Sequence, residues 1–479
     1  MRVFILCVLS QHKVINMSTS QQKLSHAVVI GGSMAGLLAA RALADYAARV
    51  TIIERDTQLG EAQPRKGVPQ GHHIHALLKS GEQILNTFFP GFTAALIANG
   101  ARQIDFAQDA VWFHHGGWKL RYTSGLHLVG QSRPLLESTV TQFLHKYPNI
   151  TWKTGWAAQE PLTNPQNTRV TGVRIQHDDG TSEDMHAALV VDASGRGSKT
   201  PRWLESMGYA APQETTVKID LAYASRVYEI PADFHHRWVS LLVNAKAPDH
   251  LRGGYIFTNE NNRWMVTLAG YSGTSMPDDD ASFLEFARSL QVPDVYEAIK
   301  NAKPLTDIKV FRYPNEQRRH YEGLNRFPDG LIVIGDAFCS FDPVFGQGMT
   351  SSANQARILH KLLARMSPME LGFSQRFHKQ VAGFLFVPWM MATSEDFRFP
   401  KTQGKMPFYY PIMHAYTAQI FKLSMTDPQV HLAFARVMNL IAPPTLLFSP
   451  LIVLKVIRSL LTRRETFAPT IEPRTLSVV

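Results

Sequence analysis

"VVIGGSMAGLLAA" runs from Val28 to Ala40, and the order of its residue types decides the fold. The apolar run His26–Ile30 has the composition of a parallel strand buried on both faces. Gly31, Ser33 and Gly36 follow, and the Ala- and Leu-rich stretch from Leu37 to Tyr46 predicts a helix. "RVTIIER", Arg49 to Arg55, is the next strand, with acidic Glu54 near its end. This pattern is that of a dinucleotide-binding turn. Gly31 permits the tight bend, a small second residue lets a pyrophosphate approach the backbone, and Gly36 lets helix meet strand. Ser33 stands where a second glycine is usual, and it is still small. The new helix aims its N–H groups and positive end at the phosphates. Glu54 is placed to accept from a pair of ribose hydroxyls. A Gly-rich turn alone is only a tight turn; the flanking strands, helix and acid supply the binding context.

A second stretch, "IGDAFCSFDPVFGQGM", runs from Ile334 to Met349. Leu331–Ile334 reads as another buried strand. It ends at Asp336, on the edge where open α/β sheets bind ligands. A carboxylate there can accept from sugar-like hydroxyls, or it can simply cap the turn. Pro343, Gly346 and Gly348 shape a loop whose backbone can lie along a flat ring. A helix expected from Met349 directs its positive end at that ring, which suits the negative N1/O2 edge of a reduced flavin.

The chain has 479 residues, enough for two or three interleaved domains. Its 45% hydrophobic and 18% charged residues are those of a globular protein with a sizeable core. Cys7 and Cys339 are the two cysteines, so no disulfide framework is expected and a reducing, cytoplasmic compartment is. The net charge of +10 comes without a basic block or nucleic-acid motif, which argues for a basic surface and an arginine-rich cleft and against nucleic acid. The opening "MRVFILCVLS" resembles a signal peptide but lacks a cleavage site, and translation is expected to start at Met17.

The expected organisation is α/β. Residues 1–25 form a disordered or mis-assigned leader. A doubly wound FAD-binding domain (26–212 and 313–385) is interleaved with an antiparallel substrate sheet (213–312), followed by a helical C-terminal region (386–465) and a tail (466–479). Ser132-Arg133-Pro134 reads as a helix start. Asp179-Gly180 reads as a hairpin turn leading to the strand Ala188–Val191.

Taken together, "GGSMAG…ER", "VVDASGRGS" (Val190–Ser198) and "GDAFCSFDPVFGQG" (Gly335–Gly348) resemble the FAD-dependent monooxygenases of the para-hydroxybenzoate hydroxylase-like fold. "RKGVPQGHHIHALL" (Arg65–Leu78) and "SRPLLESTV" (Ser132–Val140) are similar to the polyether epoxidases of the lasalocid and monensin type and their uncharacterised bacterial relatives. The resemblance spans roughly residues 26 to 460. It implies that Gly31, Ser33, Gly36, Glu54 and Arg55 hold the adenosine and pyrophosphate half of FAD. Arg133 would contact its phosphates or ribityl chain, Asp336 would bind ribityl hydroxyls, and Pro343, Gly346, Gly348 and Met349 would border the isoalloxazine. Asp192 opens a motif that supports FAD and a transient NAD(P)H, although here Ala193-Ser194 separates it from Gly195.

The implied activity is insertion of one oxygen atom from O2 into an apolar small molecule through a flavin C4a-hydroperoxide. No catalytic side chain is assigned, because the flavin carries the chemistry. Electrons come from NAD(P)H or from a separate flavin reductase. The alternatives are reduction of isoprenoid double bonds, halogenation, and a non-enzymatic flavin-bound redox protein. His72, His73 and His75 read as loop histidines near the flavin mouth rather than metal ligands, and Lys79 as a surface lysine rather than a halogenase lysine. Ala442–Arg464 is apolar, proline-broken and basic at its end. It reads as a helix packed over the substrate domain, with contact to a membrane surface as the alternative.

Overall fold

The computed structural model describes residues 23–235 and 237–462; the expectations for the leader, for Met17 and for the tail lie outside them. Five parallel strands form the first sheet, in the spatial order Leu331–Val333, Leu189–Asp192, Ala27–Ile30, Val50–Glu54, Ile150–Thr154. Ala27–Ile30 is central and buried throughout, as its unbroken apolar run requires. The helix Met34–Ala44 rises directly from the Gly31–Ser33 turn. It packs beside the helix Gln347–Leu363, so both helices start at the same end of the sheet. The hairpin Val170–His177/Ser182–His186 turns through Gly180, whose φ of +90° suits glycine.

The second sheet has eight strands, in the order Cys339–Ser340, Lys309–Arg319, Glu214–Glu229, Arg263–Gly270, Arg252–Asn259, Ser240–Val243, Ala110–His114, Gly117–Trp118. Its pairings are antiparallel except Ser240–Val243 with Ala110–His114. The sheet therefore reaches outside the expected span 213–312. It recruits one edge from residues 110–118 and the other from 339–340, and Lys309–Arg319 runs past the span. The two outermost strands are two residues long, too short to carry a period-2 pattern.

The two faces of this sheet do different work. Ala224, Tyr228, Trp264 and Leu268 pack with Phe283 and Phe286 of the covering helix Asp280–Arg288. The opposite face presents a second buried cluster that includes Tyr223, Tyr255, Tyr271 and Tyr313. From Gln347 onward the chain is helical: Gln347–Leu363, Phe373–Asp396, Tyr410–Leu423, Pro428–Met438 and Pro450–Leu461. The first of these starts two residues before the expected Met349, capped by Gly346 at φ +63°. Among the described residues no helix is long and apolar enough to cross a membrane.

A Cβ on Gly36 would stand 1.8 Å from the Gly31 carbonyl oxygen, which is backbone and cannot give way. Gly36→Ala is expected to lose roughly 2–4 kcal/mol of stability. Gly383, in the helix Phe373–Asp396, has nothing within 4 Å of its own Cβ position. Gly383→Ala is therefore expected to gain up to about 1 kcal/mol. Unfolding midpoints of the two variants, measured side by side, check the contrast.

Candidate active site

One cavity of about 1270 Å³ joins the two stretches that opened the sequence reading. Gly31, Ser33, Glu54, Arg55 and Arg133 line its first part. Asp336, Pro343, Gly346, Gly348 and Met349 line its second. Gly36 and Asp192 are not on its wall. Gly36 instead brings the helix against the strand. The Asp192 carboxylate accepts from Ser194 N at 2.9 Å and from the hydroxyls of Ser194, Ser198 and Thr200. It holds the turn whose residues Ala193–Gly197 do face the cavity, so its side chain shapes the wall from behind.

At the Gly-rich turn, Ser33 occupies the N-cap position of Met34–Ala44 without capping it. Its hydroxyl donates to Glu137 Oε1 at 2.5 Å and accepts from Arg133 Nη2 at 2.9 Å. Arg133 also donates to Glu137 Oε1 at 2.6 and 2.8 Å. Arg65 closes the cluster from the other side, donating to the Gly32 carbonyl at 2.9 Å and to Asp56 at 2.7 Å, and lying 3.4 Å from Glu137 and from Glu54. Burial pushes the Glu137 carboxyl up, but Arg133, Arg65 and the Ser33 hydrogen bond outweigh it and leave it below its ordinary value. Glu54 accepts from Gly32 N at 2.7 Å and Asp56 N at 3.0 Å, so it braces the turn as well as facing the cavity.

Arg65 and Glu137 were not among the site candidates. Arg65 lies in the motif Arg65–Leu78, and Glu137 sits four residues after Arg133, the spacing at which helix side chains pair.

These features fit FAD. The first helical turn keeps N–H groups that no side chain caps, beside Arg133, where an anionic group would sit. A Cβ on Gly195, Gly197 or Gly348 would meet nothing within 4 Å, so the backbone there is open to a flat or extended partner. Asp336 opens onto the cavity between the two halves. Burial raises its carboxyl above the ordinary range, with Arg196 and Arg133 opposing. Arg196 is fixed by the Asn315 carbonyl at 2.7 Å and Ser340 Oγ at 2.9 Å, and it stacks over Tyr313.

Beneath the loop lies a group the sequence did not reveal. Glu316, Asp342 and Asp396 are three fully buried carboxyls. Asp342 N donates to Glu316 Oε1 at 3.1 Å. Asp342 accepts from Tyr271 OH at 2.8 Å and from Val344 N at 2.8 Å. Burial raises all three; with the added repulsion of Asp342, Glu316 reaches about 8. Glu316 therefore holds a proton at neutral pH.

The histidines are neutral for the same reason. Burial takes His73, bonded to Ser225 Oγ at 2.7 Å, down to about 4, and His75 to about 3. Both line the cavity. Among the described residues no group of three or more His, Cys, Asp or Glu could hold a metal ion. Lys79 pairs with Glu82 at 2.9 Å and is not on the cavity wall.

Beyond the loop the cavity becomes largely apolar, walled by Met390, Met391, Met413, Met438, Phe421 and Phe434, with His114, Asn244, Ser394, Glu395 and Thr417 as its polar groups.

Because Glu316 titrates near 8 in the fold against 4.5 in the open chain, folding binds protons over that interval. Its contribution is complete below about pH 4.5 and is lost as pH rises through about 8. The buried neutral His73 and His75 oppose this up to about pH 6.5, so unfolding midpoints are expected to fall chiefly from there to about 8. Glu316→Gln, which keeps the acceptor for Asp342 N, should flatten the slope.

A sequence profile described as FAD dependent oxidoreductase matches residues 27–200. Protein Rv3254 of Mycobacterium tuberculosis is 30% identical over 437 residues, covering 87% of this chain and 90% of that protein. The squalene monooxygenase of Mus musculus is 20% identical over 377 residues, covering 73% of this chain and 56% of that one. Among solved structures, a triple mutant of the flavin-dependent brominase Bmp2 shares the fold at a TM-score of 0.61. It is 14% identical, covering 91% of this chain and 98% of that one. The profile match and the 30% identity to Protein Rv3254 over most of both chains make the chain a member of the FAD-dependent oxidoreductase family.

Proposed function

We propose that the protein is a monooxygenase that places one oxygen atom of O2 on an apolar small molecule, by epoxidation or hydroxylation. The observation that carries this reading is the continuity of the cavity. A polar half fit for FAD runs without a break into a methionine- and phenylalanine-lined chamber. At about 1270 Å³ it exceeds the usual volume of a single ligand pocket and has room for a cofactor and a second molecule.

FAD supplies the activation of dioxygen; this chain's residues supply position and dryness. The uncapped helix start and Arg133 would bind the anionic centre of the cofactor, and Asp336 would accept from its polyol. Backbone at Gly348 admits the ring. Asp342, tied to Tyr271 OH and Val344 N, fixes the loop that borders it. The apolar chamber orients an alkene or ring by shape and keeps water away from the oxygen transfer.

NAD(P)H provides the two electrons, directly or through a separate flavin reductase. The second oxygen atom leaves as water. The name of the mouse relative and the resemblance to polyether epoxidases both support an alkene substrate. Halogenation is the reading the brominase fold suggests. The position of Lys79, paired with Glu82 and off the cavity wall, favours oxygenation.

Purified protein is expected to be yellow and to release FAD on denaturation. Asp336→Ala should lower FAD occupancy several-fold, read from the absorbance ratio of cofactor to protein. A variant that stays fully loaded with unchanged affinity removes Asp336 from the site. A screen of apolar alkenes for NADPH-dependent, O2-consuming turnover tests the reaction. Products hydrogenated without O2 would make the enzyme a reductase, chloride-dependent products a halogenase, and absence of any turnover a redox-responsive binding protein.

A further inference from the structure

We propose that the mouth of the apolar chamber docks on an anionic lipid bilayer, so that the protein takes its substrate from the membrane. The proposal rests on the apolar-substrate reading for its purpose, but the docking surface is argued independently. Two segments build the mouth. One is the start of the helix Tyr410–Leu423, where Phe408 is 91% exposed and Ile412 75% exposed. The other is the helix Pro450–Leu461, where Leu454 is 65% and Leu461 79% exposed, and Phe448 just before it 55%. The segments touch. Tyr416, one turn after Ile412, stacks on Phe448 with ring centroids 4.6 Å apart and donates its hydroxyl to the Leu447 carbonyl at 2.6 Å. Ile412 and Phe448 both line the cavity as well. The exposed apolar patch is therefore the rim of the chamber.

The helix Pro450–Leu461 already buries Ile452 and Val456 against the protein. Its outward positions, Leu451, Leu454, Ile457, Leu460 and Leu461, would carry polar residues in a helix that faced water. An apolar patch on this scale marks a contact surface. Charge identifies the partner. From Lys401 to Thr462 the sequence holds six basic residues: Lys401, Lys405, Lys422, Arg436, Lys455 and Arg458. Asp427 is the one acidic residue in that span, and it is already paired with Lys455 at 2.5 Å. Apolar side chains in a stretch of chain whose basic residues outnumber its acidic ones suit the interface of a bilayer with anionic headgroups. In that pose the chamber opens beneath the headgroups, and an apolar molecule passes from acyl chains to the cavity without crossing water.

Co-sedimentation of the FAD-loaded full chain with vesicles tests this. Vesicles of phosphatidylcholine containing about one third phosphatidylglycerol should bind it. Phosphatidylcholine alone, or raised salt, should weaken binding at least about tenfold. The triple variant F408S, I412S, L454S should lose binding by a similar factor while keeping its FAD content and visible spectrum. F408W fluorescence should be quenched by brominated acyl chains, which reports insertion and not mere adsorption. Vesicle binding that the triple variant leaves intact overturns the proposal. So does a protein that ignores vesicles and self-associates through this face, shown by a dimer in light scattering that the same variant dissociates. None of these readings depends on turnover, so failure of the oxygenation assay leaves the docking result standing, and the reverse holds too.

Discussion

The site depends on one backbone contact: the first helix can start where it does only because residue 36 has no side chain. With the Gly31 carbonyl lying 1.8 Å from the Cβ position of residue 36, helix and strand are as close as main chains can pack. That approach points the helix start across the sheet edge. It places Ser33 within reach of Arg133 and Glu137, a hundred residues further along the chain. Ser33 then spends its hydroxyl on Glu137 rather than on its own helix. The usual capping stabilisation is given up, and the N–H groups it would have satisfied are left facing the cavity. A local rule of helix design is broken at the point where an anionic ligand would compensate for it.

The second half of the site is held by a different force. Asp342 anchors the loop Pro343–Gly348 from below, and it is surrounded by groups that cannot all be ionised together. Three buried carboxyls without a neighbouring cation must share protons, since repulsion and desolvation both oppose a second charge. Tyrosine 271 and the Val344 N–H both donate to Asp342, and the backbone N–H of Asp342 donates to Glu316. The charge that is present is thus best stabilised on Asp342, while Glu316 and Asp396 are the better proton carriers. The loop Pro343–Gly348 consequently has a polar, hydrogen-bonded underside, while its backbone at Gly348 is open on the cavity side.

Much of this was legible in the sequence because the signals are local. The Gly-rich turn, its acid at Glu54, the Ser132 cap with Pro134, and the Asp336 strand end each declare themselves within a few residues. Their convergence on one cavity follows from strand order, which the parallel pattern restricts to few arrangements. What escaped was non-local. Glu316 sits in a long strand and Asp396 at the end of a helix, and neither neighbourhood marks it as a partner of Asp342. Arg65 meets Glu54, Asp56 and Glu137 from a loop with no periodicity. The strand pair Ala110–His114 and Gly117–Trp118 joined the second sheet by a parallel pairing to Ser240–Val243, which no turn signal encodes. Asp192 shows the opposite failure. Its motif was readable, but its side chain is consumed by three hydroxyls and a backbone N–H. Only the turn it organises reaches the cavity.

The character of the chamber follows from how the chain closes it. The C-terminal helices form its outer wall, and they supply Met390, Met391, Met413, Met438, Phe421 and Phe434 alongside the branched aliphatics Ile412, Ile420 and Val437 and the polar Ser394, Glu395 and Thr417. Methionine's flexible, polarisable side chain accommodates irregular apolar shapes. Under the proposed function such a largely apolar wall would select first for hydrophobicity and approximate outline. In the oxygenation proposed above, a cofactor that carries the chemistry would require little more of such a pocket than dryness and an apolar partner held nearby. The polar precision of the protein is concentrated instead at the turn, at Arg133 and at the carboxyl-anchored loop, where a cofactor of fixed shape would be gripped.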